Sequence, residues 1–73
     1  MSAERSVGSL TAADLGRLVA MDGWTGLLAD VEHDIERGSC VEITIGGHIG
    51  EAIGSYASDW LDHSHPIAVY EED

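Results

Sequence analysis

The chain contains no lysine and no phenylalanine, only one cysteine and one proline, and no apolar run near the length of a membrane span, which needs roughly 20 residues. Each absence excludes something. Three arginines are the only permanent cations against 14 acidic residues, for a net charge of −11. Phosphate contacts need a basic face that three scattered arginines cannot supply, so direct nucleic-acid binding is excluded, and an anionic membrane surface would repel the chain. With Cys40 alone no intramolecular disulfide forms, and no charged, apolar, small-residue export pattern follows Met1. The expectation is a cytoplasmic, reducing setting. Seventy-three residues make one domain, which buries only about 60% of its unfolded surface.

The most informative segment present is Ser39 to Ala57. Val41, Ile43 and Ile45 alternate with Glu42 and Thr44, the period of a half-buried strand, and Gly46-Gly47 breaks it as a hairpin turn would. A two-residue loop would set Glu42 opposite Glu51, and facing like charges are destabilising. The preferred register therefore uses a longer loop, Gly46 to Ile49. It sets Thr44 opposite Glu51, Ile43 opposite Ala52 and Val41 opposite Gly54. Gly50 and Gly54 suit a tightly coiled sheet.

Elsewhere the patterns compete. Residues 1–9 read as a mobile tail, 10–70 as one small domain and 71–73 as an acidic tail. Thr11-Ala12-Ala13-Asp14 has the form of a helix N-terminus, but Gly16 interrupts it, which favours a turn followed by a short strand, Arg17 to Met21. Asp22-Gly23 is a turn dipeptide. Over residues 24–38, helical period gathers Leu27, Leu28, Val31 and Ile35. Strand period sets Leu27, Ala29, Val31, His33 and Ile35 on one face and Asp30, Glu32, Asp34 and Glu36 on the other, with Leu28 as the exception. Pro66 to Tyr70 is a last strand, its proline at the first position where no ladder donor is lost.

The architecture expected is all-β, with five strands at 17–21, 26–33, 39–45, 50–57 and 66–70. The alternative is α+β, two N-terminal helices packed on a three-stranded antiparallel sheet. Strand count and spacing over residues 15–70 resemble the small SH3-like and Sm-like β-barrels. That resemblance implies a binding module, and the acidic charge departs from the Sm-like members that bind RNA. The DLGRLV opening, the GWTG turn and the lysine-free acidity look like small uncharacterised proteins of actinobacteria and their phages, which implies no activity.

The chemistry-bearing residues form no distinctive motif. His63 and His65, with Asp59, Asp62 and His48, are the one group of metal-ligand types, but the spacing is loose, and the expectation is no metal and no cofactor. GGHIGEAIG matches no phosphate loop, and no nucleophile-base spacing stands out, so no catalytic residues are expected. Cys40 reads as an ordinary strand residue, since no base is placed beside it, and His33 as a satisfied core histidine. Of Trp24 and Trp60, one is expected to anchor the core, and Trp24, between Gly23 and Gly26, is the one expected at a rim.

The reading is a non-enzymatic acidic interaction module that binds a basic protein partner or itself, through Asp30, Glu32, Asp34 and Trp24. Two alternatives stand beside it: an inhibitor that imitates the anionic surface of DNA, and a structural domain with a weak histidine metal site. The bland account is a solvated acidic surface, suited to high salt or to a lysine-poor genome.

Overall fold

The computed structural model describes residues 2–46 and 52–70. Six antiparallel strands form one sheet: β1 (Ser2–Ser6), β2 (Leu18–Met21), β3 (Trp24–Asp34), β4 (Gly38–Gly46), β5 (Ala52–Ala57) and β6 (Pro66–Tyr70). Their order across the sheet is β1-β6-β2-β3-β4-β5. The only helical elements among the described residues are two single 3-10 turns, Val7–Ser9 and Ala12–Asp14. The all-β expectation therefore holds and the two-helix alternative does not. The sheet is open, with β1 and β5 at its edges, and has six strands where five were expected.

The additional strand is β1. Residues expected as a tail pair with β6 from Ser2 opposite Tyr70 to Ser6 opposite Pro66. The small polar composition concealed this, because an edge strand needs little apolar patterning. What fixes the segment lies at its end: Val7 is fully buried, and Arg5 reaches the Asp14 carboxylate at 2.8 Å.

Asp22-Gly23 makes the two-residue turn expected of it. Both residues have positive φ, 51° and 87°, the combination a type I′ hairpin demands. In β3 the competing periods are resolved by a β-bulge. The register to β4 runs Leu28 opposite Ile43 and then Asp30 opposite Glu42, with Ala29 unmatched between them. Gly26 and Leu28 point inward before the bulge, and Val31 after it. A bulge inserts one residue and flips the phase, which is why Leu28 broke the strand pattern and why no single period fitted. Ile35, assigned to the apolar side by both readings, sits at the tip of the β3–β4 turn, 96% exposed.

The β4–β5 register differs from the one preferred above. Ile43 faces Tyr56, Ile45 faces Gly54 and Thr44 faces Ser55, four residues from the expected pairing. Such a shift leaves every side chain on its original face, so alternation alone cannot distinguish the two registers. The observed one brings Tyr56 over the core, where its ring stacks on Trp24 at 4.9 Å. The expected Gly46-Gly47 turn, the positions of His48, Gly50 and Glu51, and the acidic tail lie outside the described residues.

The core is aliphatic: Val7, Leu10, Val19, Met21, Leu28, Val41, Ile43, Ile67 and Val69, with Val31, Tyr56 and Leu61 packed against it. Neither tryptophan belongs to it. Trp24 is 44% exposed, and Trp60 is half-buried beneath the Arg37 guanidinium, 5.3 Å from its ring centre. Residues 58–65 return the chain from β5 to β6. Ser39 and Leu61 exchange both backbone hydrogen bonds, and the Gly8 N–H donates to the His63 carbonyl. This connection closes one end of the core.

Candidate functional site

Alternation in β4 directs Val41 and Ile43 inward and Cys40, Glu42 and Thr44 outward. Across the bulge, β3 directs Asp30 and Glu32 to the same outer face. Asp30 is paired with Glu42, and Glu32 with Cys40. Three carboxylates and one thiol thus share this face, and with Ala57 and Ser58 they line a shallow hollow of about 190 Å³. Among the described residues no arginine or histidine lies within salt-bridge distance of Asp30, Glu32 or Glu42. Asp14 takes Arg5 at 2.8 Å and Arg17 at 3.8 Å, and Asp34 takes Arg37 at 3.8 Å. All three of the chain's arginines are thereby engaged away from the hollow.

Of the residues expected to bind a partner, Asp30 and Glu32 are brought together, joined by Glu42. Asp34 is not part of the group. Its Oδ1 accepts from the backbone N–H groups of Glu36 and Arg37 at 2.8 and 2.9 Å, so it shapes the β3–β4 turn, and those bonds hold its carboxyl below the usual carboxylate range. Trp24 is also apart, since it shares the inward side of β3 with Gly26 and Leu28 and folds against Tyr56. A central strand has two neighbours: the hairpin argument for Glu42 concerns its partner on β5, which is Ala57, while the like charge faces it from β3 as Asp30.

The Cys40 thiol donates to the Glu32 carboxylate at 3.7 Å. Burial, then the charge and hydrogen bond of Glu32, then the fields of Asp30 and Asp59, push the thiol above its ordinary pKa. A raised pKa means little thiolate at neutral pH. Cys40 is therefore expected to alkylate more slowly than an exposed peptide cysteine, and Glu32→Gln is expected to speed it. Iodoacetamide labelling followed by intact mass checks this, and an unchanged rate in the variant would contradict the assignment.

A second polar group gathers around Ser39 and includes His33, whose ring nitrogens are both hydrogen-bonded as expected although the residue is exposed and not part of the core. Ser39, fully buried, sits between His33 Nδ1 at 2.7 Å and His63 Nδ1 at 2.8 Å, while His33 Nε2 meets the Leu10 carbonyl at 2.7 Å. A carbonyl only accepts, so His33 Nε2 donates. With a neutral ring, the Ser39 hydroxyl then donates to His33 Nδ1 and accepts from His63 Nδ1–H. The signal available was the symmetric placement of His33 and Ser39 about the Asp34–Gly38 turn, where they pair across strands. Because the hydroxyl is enclosed, this arrangement ties β3, β4 and the 58–65 connection together and leaves no room for a substrate atom beside Ser39.

His63 and His65 do not share a site. His63 turns to Ser39, and His65 Nε2 contacts Asp22 at 3.0 Å across the β2–β3 turn. Asp62 accepts from the Ser64 N–H and hydroxyl and so bends the intervening chain, which separates two rings that an extended segment would have aligned. Among the described residues no group of three His, Cys, Asp or Glu side chains could hold a metal ion, and no helix is long and apolar enough to cross a membrane. Compared with protein-family models, with curated proteins and with solved structures, the chain matches none.

Proposed function

We propose that the chain is a non-enzymatic acidic interaction module whose outer face, centred on Asp30, Glu32 and Glu42, docks a basic segment of a protein partner. The observation that carries this is the pairing of Asp30 with Glu42, which no cation among the described residues compensates. Like charges opposed across strands destabilise a sheet, and this fold keeps them while its arginines serve Asp14 and Asp34. A partner's cations are the complement that removes the repulsion. A cytoplasmic setting belongs to the same proposal, as does a relationship to the small SH3-like barrels, which the β2–β5 meander with β6 returning beside β2 favours. The DNA-imitating alternative is weaker, because it needs a long file of paired carboxylates. Among the described residues the file is one opposed pair with Glu32 and, near Cys40, Asp59, while Asp14, Asp22, Asp34 and Asp62 are engaged in turns and loops.

The test is a triple variant, Asp30→Asn, Glu32→Gln, Glu42→Gln. Its stability is expected to rise by about 0.5–1 kcal/mol at low ionic strength, and its recovery of host proteins on an affinity support to fall. Asp30→Asn and Glu32→Gln alone should each weaken binding to a similar extent. Asp34→Asn should lower stability and leave binding intact. A stability gain with unchanged binding would reduce the acidic face to a solubilising surface. Self-association through the open β1 and β5 edges is the second outcome, and sedimentation velocity reads it directly.

A further inference from the structure

Next to the carboxylates the same outer face carries an apolar row, and from it we infer the kind of segment that docks: a cationic amphipathic helix of a partner protein. This rests on the acidic-face reading and adds to it. Leu18 on β2 is paired with Leu27 on β3, and both point outward because Val19 and Leu28 point inward. One step beyond the Val19–Val69 pair, Tyr70 of β6 stands beside Leu18. These three side chains are 42%, 49% and 40% exposed. Leu15 flanks the row, held there as the Gly16 N–H donates to the Leu28 carbonyl at 2.8 Å.

Geometry selects the occupant. Adjacent strands are about 4.8 Å apart, so Tyr70, Leu18 and Leu27 make a row about 10 Å wide, the diameter of one α-helix with its side chains. From Leu27 the acids begin three residues further along β3, at Asp30, with Glu42 beside it and Glu32 beyond. Because the bulge absorbs one of those residues, the offset along β4, from Thr44 opposite Leu27 to Glu42 opposite Asp30, is two residues, about 7 Å or a little over one helical turn. A helix with leucine-type side chains at one end and Lys or Arg one to two turns away matches both halves of the face. Charge excludes the other occupants: a second copy would bring another set of carboxylates against the first, and an anionic membrane would be repelled.

Amide chemical-shift mapping with two synthetic peptides of about 14 residues, identical in Leu and Lys content, tests this. One has its leucines at helical period and the other is scrambled. The periodic peptide is expected to shift both the Leu18, Leu27 and Tyr70 amides and those of Asp30, Glu32 and Glu42, and to bind about tenfold more tightly than the scrambled one. Leu27→Ser, whose melting temperature reports that it folds, should remove most of that difference, while the triple carboxamide variant should weaken both peptides. Shifts confined to the acids, equal for both peptides and indifferent to Leu27→Ser, would overturn the helix inference and leave acidic docking standing. No shifts with either peptide would overturn both.

Discussion

Gly38→Ala is expected to destabilise the fold by about 3 kcal/mol or more. Gly38 has φ of +108°, where a side chain is strained by about 1–3 kcal/mol. A Cβ there would also run into the Leu61 carbonyl, one of the two groups that bind Ser39 to the 58–65 connection. Backbone cannot rotate away as a flexible side chain can, so relief requires the Ser39–Leu61 pairing to open. In a domain of this size that loss lowers the melting temperature by more than about 10 °C. Gly54→Ala is the control, since an added Cβ meets nothing within 4 Å and strand propensity improves. Thermal melting of the two variants separates steric placement from a general intolerance of glycine replacement, and similar melting temperatures would contradict the account of the 58–65 connection.

Asp14→Ala is the second large effect, expected at about 2–3 kcal/mol. The carboxylate is buried and serves three purposes. It takes Arg5 through both oxygens at 2.8 and 3.3 Å. It accepts from the Thr11 N–H at 2.8 Å, completing a capping box with the Thr11 hydroxyl. It faces Arg17. The Arg5 hydrogen bond, with the Thr11 bond and the charges of Arg5 and Arg17, outweighs the opposing effect of burial and holds the carboxyl below its ordinary pKa. A depressed folded-state pKa means stability that is present above the unfolded value of about 3.9 and lost as pH falls through the folded one. Acid unfolding of the parent should therefore steepen below about pH 4. Asp14→Asn, which keeps the shape and loses the charge, should be less stable at neutral pH and flatter with acid. Parallel acid curves for the two proteins would contradict this role.

Strands β2, β4 and β6 follow from alternation and turn chemistry, and Asp22-Gly23 names its own turn. Thr11 to Asp14 carries a legible capping box, although only one 3-10 turn follows it because the chain enters β2 at Leu18. In β3 the strand was one of two periods the residues allowed, and its facing was not legible, since a bulge at Ala29 is a property of pairing with β4 and has no signature in β3 alone. β1 was invisible because its support is Arg5 to Asp14 and the burial of Val7, contacts distant in sequence. The Ser39 network failed to appear for the same reason: His63 comes to Ser39 through the return of the chain after β5.

For the candidate site the limits were similar. Asp30 and Glu32 were identified from their spacing, and the same spacing admitted Asp34, which geometry assigns to a turn. Glu42 was seen as a register problem and is in fact the cross-strand partner that makes the face acidic. Leu18, Leu27 and Tyr70 come from three strands, so their alignment depends on two registers at once.

The central claim is that Asp30, Glu32 and Glu42 attract and seat a basic protein segment. Its most direct test is the association rate, as a function of salt, between the immobilised chain and a basic host protein it recovers, measured for the parent and for the triple carboxamide variant. Electrostatic steering predicts a parent rate that falls steeply with ionic strength and a variant rate that is slower and nearly flat. Two superimposed curves would contradict the claim.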